Sequence, residues 1–352
     1  MTIGDVKVAA GGKRFGHITA SQADGSVTRI PVCVAAGARD GPVLYVNAAQ
    51  HGIELNGIEA LRRVIARLAP ARLAGILIAV PIANPLALRA RRHYLTQEAE
   101  EPYSNEHPHN MNRVWPGDPE GNATQRLAHA LWQEAASKAD VIVDIHSWSR
   151  WQGSAAATRA EHQPSVALAY AFGLTFVSLS SARPPSPDTP AGRMLTLVAL
   201  RRGKTAITPE LRGQWRLSED SVQEGVRGVE NCMKHLGMLP GAPELPPYYV
   251  SIAEEPTVRI QAPRTGIFQP HVEPGADVAA GQILGTLVDA DSGQGIEIPA
   301  PCDGCVYAIG ALRGRTDVSL TAMHALAEKG TEIARIYGAE RRHQPPGTSG
   351  AS

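Results

Sequence analysis

The chain is poor in the residues that mark several protein classes. Four cysteines in 352 residues are too few for a disulfide framework, so the fold must rest on a buried core. Aromatic residues make up only 5%, which leaves that core to aliphatic side chains. Lys plus Arg and Asp plus Glu number 34 each. Without net charge there is no bulk electrostatic drive toward nucleic acid or an anionic membrane surface, and neither partner is expected. No run approaches the ~18 apolar residues of a membrane-spanning helix. The start, Met1-Thr2-Ile3-Gly4-Asp5-Val6-Lys7, lacks the apolar stretch of a signal peptide. A cytoplasmic protein is expected. Phosphate cradles are missing too, since Gly11-Gly12-Lys13 lacks the loop and helix context of a P-loop.

What is present suits a globular enzyme. Hydrophobic residues at 43% suffice for a sizeable core, and 352 residues fit two domains at the usual ~100–200 residues each. Val43-Leu44-Tyr45-Val46-Asn47-Ala48, Ile76-Leu77-Ile78-Ala79-Val80 and Val141-Ile142-Val143-Asp144-Ile145 are predicted buried strands. Leu174-Thr175-Phe176-Val177 and Thr205-Ala206-Ile207-Thr208 continue the series, while Gly57 to Leu68 and Thr124 to Ala136 carry apolar residues at helical spacing. Strands alternating with helices predict an α/β domain around a mostly parallel sheet flanked by helices, with its sites at the carboxyl ends of strands. A helix from Glu219 to Leu236 ends with Gly237 as a C-cap, and the Pro-rich stretch from Leu239 to Pro247 reads as a linker. The expected organisation is a catalytic α/β domain over 1–239, a linker over 240–250, an all-β domain over 251–340 and a disordered tail over 341–352. In the all-β part, Ala262-Pro263-Arg264-Thr265-Gly266-Ile267 and Ala300-Pro301-Cys302-Asp303-Gly304-Cys305 look like paired half-motifs. They resemble the halves of biotinyl/lipoyl-type domains. No lysine stands at the hairpin between them, so no tethered cofactor is predicted.

Three segments put ligand-type residues at predicted strand ends. They are His51-Gly52-Ile53-Glu54, His146 in Val143-Asp144-Ile145-His146-Ser147, and Glu210 in Thr208-Pro209-Glu210. A histidine and a carboxylate three residues apart can face one ion. A second histidine from another strand completes the two-His-one-Glu set of an open catalytic zinc site. The remaining position holds water, which zinc acidifies toward neutral pH. One Zn2+ per chain is the expected cofactor. Alone, an H-x-x-E pair is most often a loop or helix start, and a lone histidine in an apolar run is most often a core residue. Their shared position after buried strands favours the metal site. Asp144, two residues before His146 on the same strand face, either orients that ligand or forms a structural salt bridge. Glu210 stands where a general base is needed. Cys302 and Cys305 lack two further ligands for a zinc knuckle and read as turn and core residues. His107 and His109, in a Pro-containing polar loop, read as surface residues rather than a second metal site.

Five motifs then fall in one order: His51-Gly52-Ile53-Glu54, Asn84-Pro85, Asn110-Met111-Asn112-Arg113-Val114-Trp115-Pro116-Gly117, Asp144-Ile145-His146-Ser147 and Glu210-Leu211. This order resembles the succinylglutamate desuccinylase/aspartoacylase family, a branch of the zinc carboxypeptidase-like hydrolases. Within it, the chain is similar to the bacterial N-acetyl-diaminobutyrate deacetylase-like members. The resemblance covers most of the chain and implies a zinc carboxypeptidase-like α/β domain with a small C-terminal β domain. It implies His51, Glu54 and His146 as zinc ligands. Glu210 would take a proton from water and return it to the leaving amine. Asn112 and Arg113 would grip a substrate carboxylate, which a guanidinium matches bidentately. An arginine shortly after Asn84-Pro85 would support the oxyanion; Arg89, Arg91 and Arg92 compete, and Arg92 is the choice.

Two departures from the family pattern stand out. The segment from Thr96 to His109 is longer than expected and, with Glu98, Glu100, Glu101 and Glu106, suits a solvated loop better than a lid or specificity loop. Arg212-Gly213-Gln214-Trp215 is a reduced form of the glycine-rich run after the base, which brings Arg212 or Trp215 toward the pocket. The implied reaction is deacylation of a small N-acylated amino acid or related carboxylate. A zinc carboxypeptidase acting on a short peptide or cell-wall fragment stays open, as does a catalytically silent binding protein. A homo-oligomer stays open as well.

Overall fold

The computed structural model describes residues 1–98, 101, 103–253, 255–312 and 324–345. A short hairpin of Thr2–Ile3 with Val6–Lys7 precedes the main sheet. That sheet has ten strands: β1 (Lys13–Ser21), β2 (Val27–Ala36), β3 (Arg39–Ala48), β4 (Ala74–Val80), β5 (Val141–Trp148), β6 (Ala155–Arg159), β7 (Phe176–Ser180), β8 (Thr205–Arg212), β9 (Tyr249–Ser251) and a last strand, Arg342–His343. From that last strand the spatial order is β9, β7, β6, β8, β5, β3, β4, β2, β1. The centre, β8-β5-β3-β4, is parallel, and β6-β7-β9 form a second parallel group joined antiparallel to β8. The antiparallel pairs β1–β2 and β2–β4 close one edge.

Helices cover both faces, which is why the central strands read as unbroken apolar runs. Successive residues of a strand point to opposite faces. Leu44, Val46, Val143 and Ile145 therefore pack with helices α1 (Asn56–Arg67), α4 (Gln163–Phe172) and α6 (Glu219–His235). Tyr45, Ile78 and Ile142 pack on the other side with Leu127, Leu131 and Trp132 of α3 (Ala123–Glu134) and Leu195 of α5 (Leu195–Leu200). In chain order α2 (Pro85–Ala90) lies between α1 and α3. No side chain caps the start of α1; its buried stripe of Ala60, Leu61, Val64 and Ile65 holds it. Gly57 lets this helix lie on the strands, because a Cβ there would come within 2.8 Å of Ala48 and 2.9 Å of Ile145.

The C-terminal part forms two four-stranded sheets of antiparallel strand pairs around Phe268, Leu284, Leu287, Val306, Ile333 and Ile336. Its strand Gly304–Ile309 docks on the α/β part through Tyr307 and Cys305, packed with Phe176, Val250 and Ala155. The backbone joins there too: Gly153 N–H donates to Tyr307 O (2.7 Å) and Ile309 N–H to Trp151 O (2.8 Å). The small β part thus rests on the loop that directly follows β5.

Two boundary expectations need correction. Tyr249–Ser251, placed at the linker end, is a strand pairing with Phe176 and Val177. Arg342 and His343, placed in the tail, pair with Val250 and Tyr249; residues 346–352 lie outside the described residues. A two-residue polar strand has no hydrophobic signature of its own. Pairing to a buried neighbour and the contact of Tyr170 Oη with His343 Nε2 (3.1 Å) fix it. Among the described residues, no helix is long and apolar enough to cross a membrane.

Candidate active site

β8, β5 and β3 lie side by side, and their carboxyl ends bring the three predicted segments together. Glu210 stands opposite His146 in the parallel register of β8 and β5. Beyond β3, Ala49 adopts a left-handed backbone (φ +54°) and turns the chain toward His51. Asn84 fixes this turn twice: its Oδ1 caps α2 at Ala87 N–H (3.1 Å), and its Nδ2 donates to Gln50 O (3.1 Å). The loop then passes so close to α2 that only glycine fits at position 52. A Cβ there would stand 2.2 Å from Ala87 O and 2.6 Å from Arg92 O, both backbone atoms that cannot swing away. Gly52→Ala is therefore expected to lower stability by about 1–3 kcal/mol, the usual range for overpacking, and to weaken metal loading by displacing His51. Thermal melting with metal analysis checks this; an unchanged melting point would show that the loop can shift freely.

His51, Glu54 and His146 are buried, and one ligand atom from each lies within 4.8 Å of the others. Glu54 faces both rings, with Oε1 2.8 Å from His51 Nδ1 and Oε2 3.0 Å from His146 Nδ1. The far nitrogens are held from behind. His51 Nε2 lies 3.1 Å from Asn110 Oδ1, and His146 Nε2 lies 3.1 Å from Asp144 Oδ2. A proton on Nε2 that donates to these oxygens leaves both Nδ1 lone pairs turned toward the same point. Asp144, fully buried, also accepts from Asn47 Nδ2 (2.9 Å) and Gln50 Nε2 (2.6 Å). Gln50 in turn accepts from Trp115 Nε1 (2.9 Å). Asp144 thus pairs with His146 and is held in place by Asn47 and Gln50.

The electrostatics call for a cation. Glu54, Asp144 and Glu210 crowd one pocket. Burial pushes the Glu210 carboxyl up to about 8, with Glu54 and Asp144 adding to the rise and His146 and Arg113 opposing it. Burial also raises Glu54, but the two imidazoles more than reverse this and hold it well below the ordinary range. Two imidazole nitrogens, a carboxylate and this excess of negative charge fit a divalent metal ion.

Asn112 is buried beside His146, its Nδ2 3.3 Å from His146 Nε2 and its Oδ1 accepting from Leu195 N–H (3.1 Å). Arg113 is half-buried; its Nε donates to Asn105 Oδ1 (2.9 Å), its Nη2 to the same oxygen and to Tyr103 Oη, and its Nη1 to Asn112 O (2.6 Å). The 96–109 segment is therefore more than a solvated loop where it is described, since Tyr103 and Asn105 rest on Arg113. His107 stacks on Tyr94 (4.5 Å between ring centres), and His109 Nδ1 lies 3.0 Å from Thr124 Oγ1. Trp215 N–H donates to Ile53 O (2.9 Å), which brings it beside the His51–Glu54 loop, while Arg212 turns to Glu273. Arg92 is half-buried and presents its backbone to Gly52; the next residue, His93, lays its ring on His51. Sequence reading missed His93, Gln50, Asn110 and Tyr103. Polar residues interrupting an otherwise buried segment were the available signal.

Residues 40–236 match the sequence model described as the succinylglutamate desuccinylase/aspartoacylase catalytic domain. The chain belongs to this family. A family relative, the N-alpha-acetyl-L-2,4-diaminobutyric acid deacetylase of Halomonas elongata, is 27% identical over 260 residues, which are 71% of each chain. The crystal structure of a succinylglutamate desuccinylase/aspartoacylase from Rhodobacter sphaeroides is similar at 25% identity and a TM-score of 0.67, covering 94% of this chain and 97% of that one. The product-bound structure of the ectoine utilization protein EutE (DoeB) from Ruegeria pomeroyi shares the fold, with 24% identity, a TM-score of 0.67 and the same coverage. The mostly parallel sheet with helices and the small C-terminal β sheets are thus the family's architecture. As a desuccinylase/aspartoacylase-family protein, the chain has a candidate metal triad in His51, Glu54 and His146.

Proposed function

We propose that the protein is a zinc-dependent amidohydrolase that removes the acyl group from a small N-acylated amino acid or related carboxylate. The observation that carries this is the buried His51–Glu54–His146 set with Glu210 beside it on the adjacent strand. The deacetylase named above, as a relative, supports the same class of amide. His51 and His146 through Nδ1 and Glu54 through its carboxylate would hold the ion, and two imidazoles with one carboxylate make zinc the default. When bound, the metal supplies Lewis acidity that polarises the amide carbonyl and acidifies water.

The chain's own groups do the rest. Glu210 accepts the proton of the attacking water and passes it to the nitrogen of the leaving amine. A buried carboxyl among like charges has the raised proton affinity that such a shuttle needs. Arg113 anchors the substrate carboxylate, which takes the place of Asn105 on the Nε–Nη2 edge. Asn112 lines the wall between this anchor and His146. A further donor to the carbonyl oxygen would come from the stretch after Asn84-Pro85, where Arg89, Arg91 and Arg92 compete and Arg92 is the sequence-based choice. The β part docked on the loop after β5 favours a narrowed mouth and small substrates.

The test is hydrolysis of N-acetyl, N-succinyl and longer N-acyl amino acids, with and without chelator. Chelator-sensitive release of a free amine from one of them is expected. Arg113→Ala should raise KM by roughly tenfold or more, the loss of a charge-assisted contact, with a smaller change in kcat. Cleavage of tripeptides but not of N-acyl amino acids would replace this reading with a carboxypeptidase.

A further inference from the structure

His93 is a buried polar group that the metal triad, its supporting residues and the base leave unused. It is 2% exposed, and neither ring nitrogen has a hydrogen-bond partner among the described residues. A buried imidazole without a partner is costly and needs an explanation. The ring is not loosely placed. It stacks on His51 (4.0 Å between centres, 19° between planes), and Tyr94 and Tyr103 meet it edge-on at 4.3 and 5.3 Å. Its backbone is pinned as well: His93 N–H donates to Gln97 Oε1 (3.1 Å), and His93 O accepts from Gly52 N–H (3.3 Å). Among the described residues, the candidate metal ligand set does not include it. Tyr103, in contact with this ring, also accepts from Arg113 Nη2 through its Oη. The ring therefore touches a histidine of the metal triad and the tyrosine bonded to the carboxylate anchor, within reach of a substrate held at both ends.

We propose that His93, rather than Arg92, donates an N–H to the scissile carbonyl oxygen and to the oxyanion that replaces it when water adds. This deepens the deacylase reading and rests on it. A neutral imidazole always carries one N–H, and the stacked, pinned ring keeps that donor fixed before substrate arrives. The absent partner is then the substrate's oxygen.

His93→Phe keeps the stacking surface and removes the donor. Its kcat on the best N-acyl amino acid is expected to fall about 10²–10³-fold, as for loss of one oxyanion donor, with metal content and melting temperature retained. His93→Gln, which keeps an N–H, should recover part of the loss, and Arg92→Ala tests the competing donor. Binding of methylphosphonate, a tetrahedral oxyanion, to the zinc-loaded protein gives a readout apart from turnover. Calorimetry should show its affinity at least tenfold weaker in His93→Phe, and that of planar acetate less changed. If the wild type hydrolyses no N-acyl amino acid, the deacylase reading fails while the methylphosphonate comparison still decides the role of His93. Unchanged methylphosphonate affinity, no binding by the wild type, metal loss in His93→Phe, or a kcat loss confined to Arg92→Ala would each overturn the proposal.

Discussion

Glu210→Gln is expected to leave the metal bound and to lower kcat on the order of 10²–10⁴-fold, the contribution of a positioned general base. Glutamine has nearly the same volume, so β8 and its register with His146 should persist. What it loses is the ability to take a proton. Burial, with Glu54 and Asp144 adding to it, raises this carboxyl to about 8 in the absence of a cation, which places it among the groups able to hold a proton transiently. A bound cation favours the ionised form and moves the value down. The wild-type rate should accordingly rise with pH through one ionisation lying below about 8, and that limb should vanish from the residual rate of Glu210→Gln. Steady-state kinetics across pH, paired with metal analysis of the same samples, measure both. A variant with full metal and full rate would remove Glu210 from the chemistry.

The parts of this site that could be read in advance are those whose environment is written in local pattern. His51 and His146 stand at the ends of apolar runs that become β3 and β5, because a strand covered on both faces leaves a polar residue little place except beyond its end. The helices predicted over Gly57 to Leu68 and Thr124 to Ala136 appear as Asn56–Arg67 and Ala123–Glu134, since one buried stripe decides each. Contacts between distant polar residues have no such pattern. Asn110 reaches His51 from 59 positions away and Gln50 reaches Asp144 from 94, and neither residue is unusual in its own segment. His93 follows three arginines, whose charge is the stronger local signal for an oxyanion partner. Its stacking on His51 shows that the ring turns inward at this step, while Gly52 N–H holds its backbone carbonyl. The edge strand Arg342–His343 escaped for the opposite reason, being too short to carry any period.

Removing the metal should have the other large effect. The apo-protein is expected to be inactive and less stable. A ligand present at a hundredfold excess over its Kd stabilises the folded state by about 2.7 kcal/mol, which corresponds to roughly 4 °C in Tm for a chain of 352 residues. Glu54→Ala should reproduce the inactive state without chelator, because Glu54 is the group both Nδ1 atoms face. Asp144→Asn should be milder, weakening metal binding by about 10–100-fold as outer partners of ligand histidines do. The pH dependence follows from the same contacts. Burial works against a charge on His146, but Asp144 and Glu54 outweigh it and hold the imidazole well above its ordinary value. Without metal, His146 therefore keeps its proton at neutral pH and stands in for the missing cation. An entering ion must displace that proton, so its apparent affinity should rise with pH by about tenfold per unit for one proton released, until His146 is neutral in the apo-protein. Calorimetric zinc titrations in two buffers of different ionisation enthalpy count the protons directly. Release of about one proton is expected at neutral pH; none released, together with pH-independent affinity, would show that His146 is already neutral and that the Asp144 contact does not charge it.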